Sequence, residues 1–233
     1  MSTKRIVAAL NEIGEDPKDI DAILISHEHK DHIQGIKVFF NKYGVPVYAN
    51  EKTWEKIAKF TEDVIPDSEK KYFCTSEEFR IGDITVRPFA TSHDAAEPVG
   101  FNFFAGDKKI TTATDLGCMD RDIVDALDDS DFIFLESNHD RNMLKVGPYP
   151  WPLKKRIASK LGHLPNDVAA RAVAFFASRG TDMFMMGHLS QNNNFPELVY
   201  QSVKNEVEGK GILMSNIDFF VASQDVISDI KHI

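Results

Sequence analysis

HEHKDH, residues 27–32, sets His27, Glu28, His29, Asp31 and His32 within six positions, and its flanks decide what kind of fold carries them. Before it, AILIS at residues 22–26 is apolar and rich in β-branched side chains, the pattern of a short buried strand. After it, Ile33, Ile36, Phe39, Phe40 and Tyr43 fall on one helical face until Gly44 and Pro46 end the pattern. The hexapeptide is therefore a strand-to-helix turn. Neutral imidazole and carboxylate are ligands for Zn²⁺ and Mn²⁺. A tight turn lets alternate residues point the same way, so His27 and His29 suit one ion, and Asp31 and His32 a second. The alternative is a solvated polar turn with a capping histidine, but few folds need so many ligand-type residues at a strand end.

A divalent ion takes about four to six ligands, so others are expected further along the chain. The remaining sequence alternates short apolar runs with amphipathic stretches, which predicts an α/β fold. A helix is expected over residues 4–13, ending at Gly14. A strand follows at 47–49, then a helix from about Glu51. FRIGDITVRPFATSH, residues 79–93, reads as a hairpin turning at Gly82-Asp83, and residues 99–105 and 109–114 as another around Gly106-Asp107. Residues 132–136 and 183–186 are continuous apolar strands. Helices are expected from Trp151, from a cap at Asn166 or Asp167 through to Gly180, and from Pro196. Strand-like segments at 211–214 and 219–222 close the chain. No linker or repeat divides it, so residues 1–233 are read as a single domain.

Three ligand-type residues then stand at predicted strand ends: His93 after FATS, Asp115 after KKITTAT, and His188 after MFMMG. The carboxyl edge of the strands is where sites in α/β sheets gather. Singly, His93 and His188 also suit half-buried histidines, and Asp115 a helix cap for Met119 onwards. Their shared location beside a ligand-rich turn favours ligation.

Composition narrows the function. Hydrophobic residues make up 42% and charged residues 27%, as in ordinary globular domains, and the formal net charge of −9 argues against a broad basic face. Bound divalent metals do not enter that count and supply local positive charge. Two cysteines, Cys74 and Cys118, are too few for a disulfide framework, and no segment has the pattern of a signal peptide or membrane span, so a cytoplasmic protein is expected.

HxHxDH at residues 27–32, followed by His93, Asp115 and His188, resembles the metallo-β-lactamase superfamily in order and context across nearly the whole chain. The resemblance implies an αββα sandwich in which His27, His29 and His93 hold one metal, Asp31, His32 and His188 the other, and Asp115 bridges them. PVYANEKTW (46–54), LESNHD (135–140), GHLPNDVAA (162–170) and GHLSQNNNFPE (187–197) resemble more closely the YycJ/WalJ group of bacterial exonuclease-like proteins within it. That likeness implies two divalent ions, Zn²⁺ or Mn²⁺, and cleavage of DNA phosphodiesters, with a part in DNA repair.

Two such ions acidify a bridging water, aim it at phosphorus and stabilise charge on the attacking and leaving oxygens. Asp31 is then the candidate to orient the nucleophile, with His163 and His139 as candidates to meet the phosphate or protonate the leaving group. His163 also suits a structural role before the helix cap, and His139 a brace behind a ligand. Asn193 and Asn194 are either phosphate donors or a helix-entry turn. Lys154–Lys155–Arg156 is the clearest basic cluster. Relatives in the superfamily usually carry strands before the first helix. Here only 26 residues precede His27, so N-terminal strands are expected to be missing or truncated, with a homodimer as one way to cover the exposed edge. Rival readings are a thioesterase, lactonase or β-lactam hydrolase on the same fold, and a non-catalytic metal-binding protein.

Overall fold

A computed structural model describes residues 1–228 and 230–233, and the chain forms two compact units: Met1–Pro88 with Ala95–Val99, and Phe89–Asp94 with Gly100–Ile233.

In the first unit, α1 (Thr3–Glu12) ends before Gly14, which takes φ +85°. β1 (Ile23–Leu24) leads into the HEHKDH turn, followed by α2 (Lys30–Ile33) and α3 (Ile36–Tyr43). One continuous helix was expected after the turn. It is broken at Gln34–Gly35, where the Gly35 carbonyl accepts from Thr3 Oγ1 at 2.7 Å and a Cβ would stand 2.9 Å from the Met1 carbonyl. α1 thus packs where a side chain at position 35 would lie. β2 (Val47–Ala49) precedes α4 (Glu51–Thr61), which Asn50 caps by accepting from the Thr53 N–H at 2.9 Å. β3 (Lys70–Tyr72) lies parallel to β2, giving the sheet order β1-β2-β3. β4 (Phe79–Ile81) and β5 (Ile84–Ala90) make the expected antiparallel hairpin, with Gly82 at φ +59° in its turn. Ile25, Ile33, Ile36, Val47, Trp54 and Ile57 form the core of this unit.

The second unit contains β6 (Val99–Ala105), apart from its first residue, and β7 (Lys108–Ala113), then α5 (Arg121–Leu127) and β8 (Phe132–Glu136). There follow α6 (Arg141–Val146), α7 (Trp151–Ile157), α8 (Asn166–Ala177), β9 (Met183–Gly187), α9 (Pro196–Gly209) and β10 (Asp218–Val221). The strand order is β10-β9-β8-β7-β6, parallel except for the β6–β7 hairpin. The residues of β8 and β9 are buried or nearly so, which explains their unbroken apolar runs.

Two expectations need correction, and one alternative falls. Residues 211–214 are not a strand: the chain makes a single 3₁₀ turn at Met214–Asn216 instead. α8 is capped at Pro165, and Asn166 is its first residue, because the Asn166 side chain is buried on Ser137 and Asn194. Asp115 does not cap a helix, since α5 begins at Arg121 with Asp120 as its cap. Among the described residues, no helix is long and apolar enough to cross a membrane.

Candidate functional site

Register builds the centre of the second unit. Ala113 pairs with Leu135, and Leu135 with Met186, so the parallel strands β7, β8 and β9 finish side by side. Asp115 lies two residues beyond its pair, Glu136 one, and His188 two. The four ligand-type residues Asp115, Glu136, His163 and His188 each offer an atom within 4.8 Å of the others. Asp115 and His188 both have φ +57°, a left-handed conformation uncommon for residues with a side chain. Such strain persists where surrounding structure enforces it, and it concentrates at functional positions.

Glu136 is fully buried at the end of the central strand. Its Oε1 accepts from His163 Nδ1 at 2.8 Å and His188 Nδ1 at 2.6 Å, while Oε2 accepts from the N–H groups of Leu116 and Leu164 at 2.8 and 3.1 Å. Burial alone would raise its pKa, but the bonds from His163 and His188 outweigh that and hold the carboxyl down to about 2. An ionised carboxylate only accepts, so both histidines donate through Nδ1, which turns Nε2 away from the carboxylate. Glu136, covered by four donors, thus braces ligands rather than serving as one. Carboxylates behind metal-binding imidazoles do this work elsewhere.

His93 is fixed in the same sense: its Nδ1 donates to the Gly162 carbonyl at 3.0 Å, and its Nε2 stands 3.5 Å from Asp115 Oδ1. Burial pushes the His93 pKa down, keeping the ring neutral and able to donate a lone pair. Asp115 Oδ1 also lies 3.7 and 3.8 Å from Nδ1 of His163 and His188. A buried carboxylate among imidazoles held through Nδ1 fits a divalent cation.

In the first unit, the turn gathers its own histidines. His27 Nε2 and His29 Nδ1 are 3.0 Å apart, close to the roughly 3.3 Å that separates two nitrogens at 2.0–2.1 Å from a tetrahedral ion. The Ser26 hydroxyl lies 3.1 Å from His27 Nδ1 and 3.3 Å from His32 Nδ1, orienting both rings. Asp31 is exposed, with Oδ2 3.5 Å from His32 Nε2. Glu28 turns away: its Oε1 accepts from the Ala96 N–H at 2.9 Å and ties the turn to the segment after His93.

The other candidates separate clearly. His163 belongs to the Glu136 network. His139 does not: it is 1% exposed, both its ring nitrogens are buried without a hydrogen-bond partner among the described residues, and burial lowers its pKa to about 4. Asn194 is a structural brace, bonded to Asn166, to the Ser137 carbonyl and to the Phe195 N–H, which removes it as a phosphate donor. Asn193 is likewise buried and donates to Ser190 Oγ. In the basic cluster, Arg156 is paired with Asp94. Sequence reasoning missed Glu136 and Ser26. The signal for Glu136 was present, as the one acidic residue ending the otherwise apolar run FIFLE.

The fold and the ligand set define a class, and the description "Beta-lactamase superfamily domain" matches residues 4–189: the chain belongs to that family. The exodeoxyribonuclease WalJ of Streptococcus pneumoniae serotype 2 is 39% identical over 223 residues, which span 95% of this chain and 82% of that protein. The exodeoxyribonuclease YycJ of Bacillus anthracis is 38% identical over 211 residues, 91% of this chain and 80% of its own. The metallo-β-lactamase-fold protein YhfI of Bacillus subtilis has the same fold, with a TM-score of 0.67 at 15% identity over 93% of this chain and 80% of its own.

Proposed function

We propose that the protein is a metal-dependent exodeoxyribonuclease acting in the cytoplasm. The observation that carries this reading is the ligand set of the HEHKDH turn and the strand ends, standing in a chain similar over 95% of its length to an exodeoxyribonuclease. His27, His29 and His93 are proposed to hold one divalent ion, Zn²⁺ or Mn²⁺, and Asp31, His32 and His188 a second, with Asp115 between the two. Such ions supply Lewis acidity and neutralise charge developing on a phosphodiester.

The chain's own residues do the rest. Glu136 sets the tautomers of His163 and His188, and Gly162 that of His93, so these rings need no rearrangement to act. Asp31, exposed beside the ligand histidines, accepts from the attacking water and orients it. His163, half-buried and fixed through Nδ1, is better placed than the buried His139 to meet a substrate oxygen through Nε2.

The test is hydrolysis of 5′- and 3′-labelled single- and double-stranded DNA with Mn²⁺ or Zn²⁺, beside a thioester and a β-lactam. DNA is expected to be the substrate cleaved, and two ions per chain are expected by elemental analysis. His29→Ala and Asp31→Ala are each expected to lose most hydrolysis. Full activity in both would refute the site, and turnover of the thioester or β-lactam alone would replace the substrate class.

A further inference from the structure

Outside the ligand cluster, the second unit has a cavity of about 260 Å³ between α6 and α7, lined by His139, Arg141, Leu144, Lys145, Trp151, Lys154, Lys155 and Ala158. Its chemistry differs from the rest of an acidic protein: four cations and one indole line it, and none of its residues is a carboxylate. Arg141 is paired with Asp167. Lys154 donates to the Lys145 carbonyl at 2.8 Å, and Lys155 Nζ lies 5.5 Å from the centroid of the Trp151 ring. Among the described residues, Lys145, Lys154 and Lys155 have no carboxylate partner.

Trp151 is 63% exposed, although burying an aromatic of this size is among the largest single contributions to a core. Val146, at the end of α6, is also exposed, and three of the four cations lining the cavity have no carboxylate partner among the described residues. A flat π-face beside lysines is the pairing that binds single-stranded nucleic acid: the ring stacks an unpaired base, and the ammonium groups follow the phosphates. In a duplex the bases are stacked on one another, so that ring has nothing to take. The volume is just below the roughly 300–1,000 Å³ of sites for small molecules, enough for one monomer unit.

The cavity also has a direction. His139, Arg141 and Ala158 line a second cavity of about 290 Å³ as well, whose other walls include Cys118, Leu164 and His163. The two cavities thus adjoin at these three residues, so a strand seated at Trp151 lies beside the cavity that His163 lines. We infer that the α6–α7 cavity is a subsite for a single DNA strand, with one base stacked on Trp151 and its phosphates on Lys145 and Lys155, leading the strand end toward His163. This rests on the nuclease reading for the identity of the polymer.

The experiment is fluorescence anisotropy of the full-length protein with a labelled single-stranded phosphorothioate 12-mer, which resists cleavage, repeated in EDTA and with the matching duplex. Trp151→Ala is expected to weaken binding about tenfold. The double variant Lys145→Glu, Lys155→Glu is expected to weaken it further and to reduce the salt-dependence slope by about 1.4, the value for two phosphate contacts on a single strand. Quenching of tryptophan emission on binding is expected to vanish in Trp151→Ala, because the other tryptophan, Trp54, is buried. Unchanged binding in both variants, or tighter binding of the duplex, would overturn the subsite. If wild type cleaves labelled DNA while both variants bind as before, only the subsite falls. If single strands bind through these residues but no DNA is ever cleaved, the subsite stands and the nuclease reading falls.

Discussion

Glu136→Gln tests the site through a residue that is not itself a ligand. The carboxylate accepts four bonds: two from imidazole Nδ1–H groups through Oε1 and two from backbone N–H groups through Oε2. Glutamine keeps one oxygen. The backbone donors of Leu116 and Leu164 cannot change character, so that oxygen stays with them and the amide NH₂ turns to the histidines. His163 and His188 must then accept at Nδ1, which moves the hydrogen to Nε2, and at His188 that is the atom that should carry the ligand lone pair. Charged bonds contribute about 1.5–3 kcal/mol each against about 0.5–1.5 for neutral ones, and relief of carboxylate burial offsets part of the loss. A net destabilisation of about 2–3 kcal/mol is expected. Metal affinity should fall by about 10–100-fold, as when a carboxylate behind a ligating histidine is lost. Urea unfolding gives the first quantity, and competition with a chelator of known affinity the second. A folded variant that retains wild-type metal affinity would refute the tautomer argument.

Two further outcomes follow from particular contacts. His139 is neutral when folded, with a pKa of about 4 against 6.5 when unfolded, so the unfolded chain binds more protons in that interval and stability falls as pH drops through it. The loss should approach about 3 kcal/mol by pH 4, and His139→Phe should flatten this part of the profile of urea midpoint against pH; a profile unchanged in the variant would assign the acid sensitivity to another group. Gly117→Ala places a Cβ on the carbonyl of Lys160 and against the Leu161 nitrogen, so the loop that carries Asp115 must shift. A destabilisation of about 1–3 kcal/mol together with weaker metal binding is expected, whereas Gly209→Ala, where a Cβ meets nothing within 4 Å, should be neutral or slightly stabilising; equal effects on unfolding midpoints at the two positions would contradict this.

Much of the second unit was legible because its strands β8 and β9 are apolar on both faces. FIFLE and MFMMG announce themselves as parallel, buried strands, and the residues that follow them are where the ligands stand. β3 was not legible: Lys70–Lys71–Tyr72 has no apolar alternation, and its place comes from pairing with β2. α5 and α6, at 7 and 6 residues, are too short for a helical period to emerge from their flanks. The break after α2 depends on α1 contacting Gly35, a long-range contact that no local pattern encodes. Histidines were legible as candidate ligands from their spacing, whereas the bonds that choose their tautomers arise only when strand ends are brought together. Glu136 is the clearest case, since a glutamate at a strand end reads as solvated until the strand proves to be central.

Asp115 and His188 hold backbone conformations that glycine adopts without strain. Glycine at either position would relax the chain while deleting a proposed ligand. These are therefore sites where a screen for thermal endurance and a screen for turnover should select opposite alleles. A library sorted only for robustness would drift toward an inert protein by way of these two left-handed residues at the strand ends.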